Sequence, residues 1–133
     1  MKKILLLLSM LLTHILYAEL PPYVYDDLKN NAPESLTIEV TQVERSSLLF
    51  EGTTVTAKAK VIRTVRSATA LQRGDSITIR YTTTAGTIKP GWVGPSPVPI
   101  LKEGKSYKAY LIKEDEKSEY KPAARGKSFS IIP

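Results

Sequence analysis

From Leu36 onward the chain alternates apolar and polar residues with a period of two, a pattern that suits β-strands and little else. Leu36, Ile38 and Val40 are separated by Thr37 and Glu39, and Val55, Ala57, Ala59 and Val61 by Thr56, Lys58 and Lys60. Ile77, Ile79 and Tyr81 are separated in the same way by Thr78 and Arg80. A helix would repeat its apolar residues every three or four positions, so these runs predict half-buried strands. The adjacent pair Val61-Ile62 breaks the phase and Val65 resumes it on odd numbers, which places a bulge or bend near Val61. Tyr107, Ala109 and Leu111 mark a further strand, and Ser128–Ile132 a short last one. Turns are expected at Glu44–Ser47, then at Glu51-Gly52, and at Gln72-Arg73-Gly74-Asp75. Glu114–Glu119 reads as a solvated connection.

The other segments contribute little helix. Residues 19–35 place Pro21, Pro22 and Pro33 around a polar stretch from Tyr25 to Asn31, which holds one helical turn or two and ends before Pro33. Residues 86–104 carry Gly86, Pro90, Gly91, Gly94, Pro95, Pro97, Pro99 and Gly104, a density of breakers that no helix survives. About five strands, one of them long and bent, predict an all-β fold. A small five-stranded barrel of the oligonucleotide/oligosaccharide-binding (OB) type fits better than a sandwich, which wants about seven strands.

Residues 1–18 have the layout of a signal peptide. Met1-Lys2-Lys3 is a positive start, Ile4–Leu16 is apolar except at Ser9, Thr13 and His14, and Leu16-Tyr17-Ala18 ends on a small residue. Those thirteen helical residues would reach about 20 Å, short of the roughly 30 Å of a bilayer core. The expected organisation is a leader over 1–18, an extended or short helical segment over 19–35, and the OB-like barrel over 36–133. The protein is thus expected to be exported, periplasmic or secreted, with no transmembrane segment once the leader is removed. Losing Lys2 and Lys3 takes the formal charge from +6 to +4, a mildly basic balance that names no partner by itself. The chain has no cysteine, so packing and sheet hydrogen bonds must hold the domain together without disulfides.

Composition also narrows the chemistry. The one histidine, His14, lies in the leader, so Ser-His-Asp and Cys-His arrangements and typical zinc sites are excluded from the rest. No cofactor is expected. Glu39, Asp75 and Glu103 are carboxylates without distinctive context, and surface solvation is the plain reading of each. Asp26-Asp27 and Glu114-Asp115-Glu116 lack the alternating spacing of a calcium loop. Arg73-Gly74-Asp75 spells an adhesion tripeptide but sits where a turn is expected.

Two features could carry binding. Lys58, Lys60, Arg66 and Arg80 fall on the polar faces of their strands, and Arg63 joins them if the bend turns it outward. This is the pattern of a polyanion-binding surface, although an ordinary solvated face would look the same. For an exported chain, an anionic glycan or envelope surface suits it better than nucleic acid. The second feature is the loop around Trp92, Val93 and Pro95, where a lone tryptophan among glycines and prolines would either anchor a protein partner or fold back to plug the barrel.

The run Val55-x-Ala57-x-Ala59-x-Val61, followed by Val65-Arg66-Ser67, Leu71-x-x-Gly74-Asp75-x-Ile77-x-Ile79-x-Tyr81 and Gly104-x-x-Tyr107-x-Ala109-Tyr110-Leu111, resembles the barrel strands of netrin-like modules. These include the N-terminal domains of tissue inhibitors of metalloproteinases. The resemblance covers about residues 36–132 and implies the fold only. Those inhibitors set a free N-terminal cysteine on the protease zinc, and this chain has neither that cysteine nor the family's disulfides. The function expected is a non-enzymatic binding or structural module of the cell envelope. An inhibitor of an exported hydrolase acting through the Trp92 loop is the first alternative, and a carboxylate-based hydrolase the second.

Overall fold

The computed structural model describes residues 19–48, 52–85 and 96–133. Trp92, Val93 and Pro95, with the leader, lie outside the described residues. Helix α1 spans Pro22–Asn31 and is followed by strands β1 (Glu34–Leu48), β2 (Gly52–Ser67), β3 (Ser76–Thr83), β4 (Ser106–Lys113) and β5 (Glu119–Pro122). A 3-10 turn over Arg125–Lys127 leads into the last strand, β6 (Phe129–Ile131). The strands run in the order β1-β2-β3-β5-β4, and β4 pairs back onto β1, which closes a five-stranded barrel. Among these pairings only β3–β5 is parallel, as the OB type requires, and β6 lengthens the wall by pairing with β4 beyond β5.

The period-two reading explains the core. Val55, Ala57, Ala59 and Val61 of β2 all point into the barrel, together with Ile77, Ile79 and Tyr81 of β3 and Tyr107, Ala109 and Leu111 of β4. Small alanines share this core with three aromatic rings, Tyr81, Tyr107 and Phe129, of which Tyr107 meets Phe129 edge-on at 6.3 Å and Tyr81 lies tilted to it at 5.8 Å.

Curvature comes from bulges. Thr37 faces Arg63 while Ile38 faces Val61, so Ile62 is the extra residue at the expected place. A second bulge follows directly, because Ser35 faces Arg66 and Leu36 faces Thr64. Val65 is therefore extruded and 65 % exposed, instead of returning to the core as the sequence suggested. The turn expected at Glu44–Ser47 is absent: β1 continues to Leu48 and pairs with β2 as far as Gly52. These residues form a polar hairpin arm whose strand character resides in backbone pairing and leaves no apolar alternation to read.

The barrel is closed by Glu119–Pro122, and the Ser128–Ile132 region supplies the short added strand β6. Strand β5 buries a single large side chain, Tyr120, and ends on a proline, which a strand terminus tolerates. Helix α1 has ten residues, more than the one or two turns expected. It opens with Pro22 in its first turn, where the missing N–H costs nothing, and stops at Ala32, which Pro33 forces into an extended conformation. Tyr25 is its buried anchor, and its hydroxyl donates to the Glu19 carboxylate, which also accepts from Ser96 Oγ at 2.7 Å. These bonds, Tyr25 first, hold the Glu19 carboxyl below its usual range. Among the described residues no helix is long and apolar enough to cross a membrane.

Candidate functional site: the outer face of β2, β3 and β5

Because Val55–Val61 point inward, Lys58 and Lys60 point outward, roughly 7 Å apart along β2. Across the sheet, Lys60 lies between Glu39 of β1 and Ser76 of β3, and Lys58 lies between Gln42 and Thr78. Arg80 faces Thr56, one rung further on, so it sits diagonally from Lys58 at about 7–8 Å. The bulge at Ile62 restores the outward phase for Arg63, which faces Thr37 and is exposed. No ion pair holds Lys58, Lys60, Arg63 or Arg80 among the described residues; the two ion pairs found there are Lys29–Asp26 at 3.7 Å and Lys117–Glu114 at 3.9 Å.

Arg66 also faces outward but has a different role. Its Nε donates to Ala32 O at 2.9 Å and a terminal nitrogen donates to Lys29 O at 3.0 Å. The guanidinium thus binds two carbonyls at the C-terminal end of α1, of which Lys29 O also accepts the capping Ala32 N–H, and a cation there meets the favourable end of the helix dipole. The stripe along β2 therefore consists of Lys58, Lys60 and Arg63, and Arg66 ties the helix to the barrel.

Arg80 opens onto a cleft of about 920 Å³ that the sequence did not reveal. Lys117, Lys121 and Arg125 line it, against Glu114 and Glu119. The parallel register explains the grouping: Thr78 pairs with Glu119 and Ile79 with Tyr120, so the next rung brings Lys121 beside Arg80. Thr54 and Thr82 face each other on its floor with hydroxyls 3.4 Å apart. Four cations thus share one concavity with two carboxylates, of which Glu114 is already paired with Lys117. The arrangement can hold acidic groups by charge and accept hydroxyl contacts.

The remaining sequence candidates resolve individually. Glu103 accepts the Val43 N–H at 2.9 Å, and the Asp75 carboxylate accepts the Gln72 N–H at 2.8 Å. Arg73-Gly74-Asp75 is a turn in which Gly74 has φ 95°, a value suited to glycine. Glu39 is exposed beside Lys60. Among the described residues no group of three or more His, Cys, Asp or Glu side chains is placed to hold a metal. One end of the barrel is closed by the segment Pro99–Lys102. Tyr81 donates its hydroxyl to Pro99 O at 2.7 Å and accepts from Leu101 N at 3.1 Å, Tyr107 accepts from Lys102 N at 3.1 Å, and Leu101 is buried. At the barrel end nearest α1, buried Glu34 accepts from both the N–H and the hydroxyl of Thr69, which contacts the Tyr120 hydroxyl at 2.8 Å.

No family model and no curated protein matches the chain. Nothing beyond the barrel connects it with netrin-like modules.

Proposed function

We propose that this protein is a non-enzymatic binding module that acts outside the cytoplasm and holds a polyanionic partner against the outer face of β2, β3 and β5. The observation that carries this reading is the continuity of positive charge, without an ion-pair partner among the described residues, from Lys60 and Lys58 across to Arg80, and from Arg80 into the cleft beside Lys121 and Arg125. Solvated lysines scattered over a surface would not converge on a concavity. Export favours an anionic glycan or an acidic envelope polymer over nucleic acid. Cleavage after Ala18 would leave Glu19 first in the chain, already held by Tyr25 and Ser96.

Elution from a heparin-like column in a salt gradient tests the reading. Lys58→Ala/Lys60→Ala and Arg80→Ala/Lys121→Ala should each elute at clearly lower salt than Lys105→Ala/Lys108→Ala, which removes the same charge from the β3–β4 connection and from β4. Equal shifts for all three pairs would reduce the effect to net charge and remove the site.

A further inference from the structure

The barrel closes only where β1 pairs with β4, from Glu34 to Glu39. Past Thr41, β1 leaves the barrel wall and, among the described residues, pairs with β2 alone, so its other edge takes no strand from them. The first part of that edge is protected: Val40 exchanges both backbone groups with the β4 approach, through Lys105 O at 2.9 Å and Gly104 N at 2.8 Å, and the Glu103 carboxylate takes the Val43 N–H. Val40 faces the edge, and the extra residue Thr41 shifts the phase so that Val43 faces it next. Strand alternation then places the N–H and C=O of Arg45 and Ser47 on the same edge. No backbone group or side chain among the described residues pairs with these four polar groups.

A groove of about 600 Å³ runs beside this edge. Val43, Pro99, Ile100 and Leu101 give it an apolar wall, and Arg45 and Lys102 stand over it. Neither cation has an ion-pair partner among the described residues, and the one carboxylate present, Glu103, is engaged with Val43 N–H. An open row of backbone donors and acceptors beside an apolar trough is what an added strand requires: main-chain hydrogen bonds supply the affinity and alternate side chains enter the trough.

We infer that the Arg45–Leu48 edge of β1 accepts an extended, acidic segment of a partner protein as an additional strand, with Arg45 and Lys102 selecting its charge. This surface is separate from the basic face of β2, β3 and β5 and does not depend on that reading. A second copy of this chain is the poorer occupant, because antiparallel pairing about so short an edge brings two Arg45 side chains onto one face, where like charges repel.

The probe is a short peptide of alternating glutamate and valine, followed by amide hydrogen exchange and chemical-shift titration. The expected result is selective protection of the Arg45 and Ser47 amides. The same peptide N-methylated at alternate residues should bind at least about tenfold more weakly, since it loses several backbone hydrogen bonds each worth a factor of roughly 2–10. Arg45→Glu should weaken binding about fivefold or more. Ser47→Pro should weaken it comparably while leaving the β1–β2 ladder intact, because the Ser47 N–H faces the open edge. Four outcomes would overturn the inference: no binding at millimolar peptide, equal binding of the N-methylated peptide, equal binding of a lysine–valine peptide, or protection of the Arg45 and Ser47 amides that rises with protein concentration alone together with a dimer mass.

Discussion

Removing the Arg66 side chain should loosen α1 without altering the barrel's basic face. The guanidinium makes two hydrogen bonds to main-chain carbonyls, at 2.9 Å to Ala32 and 3.0 Å to Lys29. Bonds involving a charged group contribute about 1.5–3 kcal/mol each. Arg66 is exposed and water competes for it, so a total of roughly 1.5–3 kcal/mol for both bonds together is the appropriate figure. Every 1.4 kcal/mol is tenfold in an opening equilibrium, so Arg66→Ala should raise amide exchange across Tyr25–Asn31 by about 10- to 100-fold. If the helix unfolds with the barrel, the melting temperature should also fall by about 6–12 °C, taking roughly 4 °C per kcal/mol for a domain of this size. Arg66→Lys should recover less than half of the loss, since an ammonium cannot present the fork that reaches both carbonyls. Unchanged helix exchange, combined with polyanion retention reduced as far as by Lys58→Ala, would refute this reasoning and return Arg66 to the binding stripe.

Other outcomes follow from individual contacts. Burial pushes the Tyr81 hydroxyl up to about 12, so its contribution to stability is complete below about pH 10 and is lost as the pH rises towards 12; burial raises Tyr25 as well, so ultraviolet phenolate titration of Tyr81→Phe against wild type should show the loss of one late-ionising tyrosine and not of all late ionisation. At Gly126 a Cβ would come within 2.3 Å of Ser96 O, so Gly126→Ala should displace the Ser96–Val98 segment and cost at least about 1 kcal/mol in a denaturant melt. Intact-mass spectrometry of the exported protein should give a chain beginning at Glu19, and a full-length mass held in the membrane would contradict the export reading.

The sequence was most legible where one face of a strand is buried. Alternation over Val55–Val61 and Ile77–Tyr81 placed core and surface residues correctly, and the outward direction of Lys58, Lys60 and Arg80 followed from it. The Val61-Ile62 neighbours revealed the first bulge, but a second bulge at Val65 cannot be read from one apolar residue that ends up in solvent. The β1 extension through Glu44–Ser47 was hidden because its own residues are all polar and it is held by backbone pairing with β2. Strand β5 was hidden because it is four residues long with one large side chain inward. The site suffered from the same limit. Arg66 has partners more than thirty residues away, and Lys121 joins Arg80 through a parallel pairing between strands forty residues apart in the chain. Local pattern carries no information about either.

The central claim is that the cations on β2, β3 and β5 act together on one polyanion. The most direct test is the salt dependence of binding to a labelled, heparin-like oligosaccharide, plotted as log affinity against log salt. Each cation that displaces a counterion contributes about one unit to the slope. Lys58→Ala/Lys60→Ala and Arg80→Ala/Lys121→Ala should each flatten the slope by about two units, and Lys105→Ala/Lys108→Ala should leave it unchanged. A wild-type slope that none of these substitutions alters, or that all three lower equally, would contradict the account.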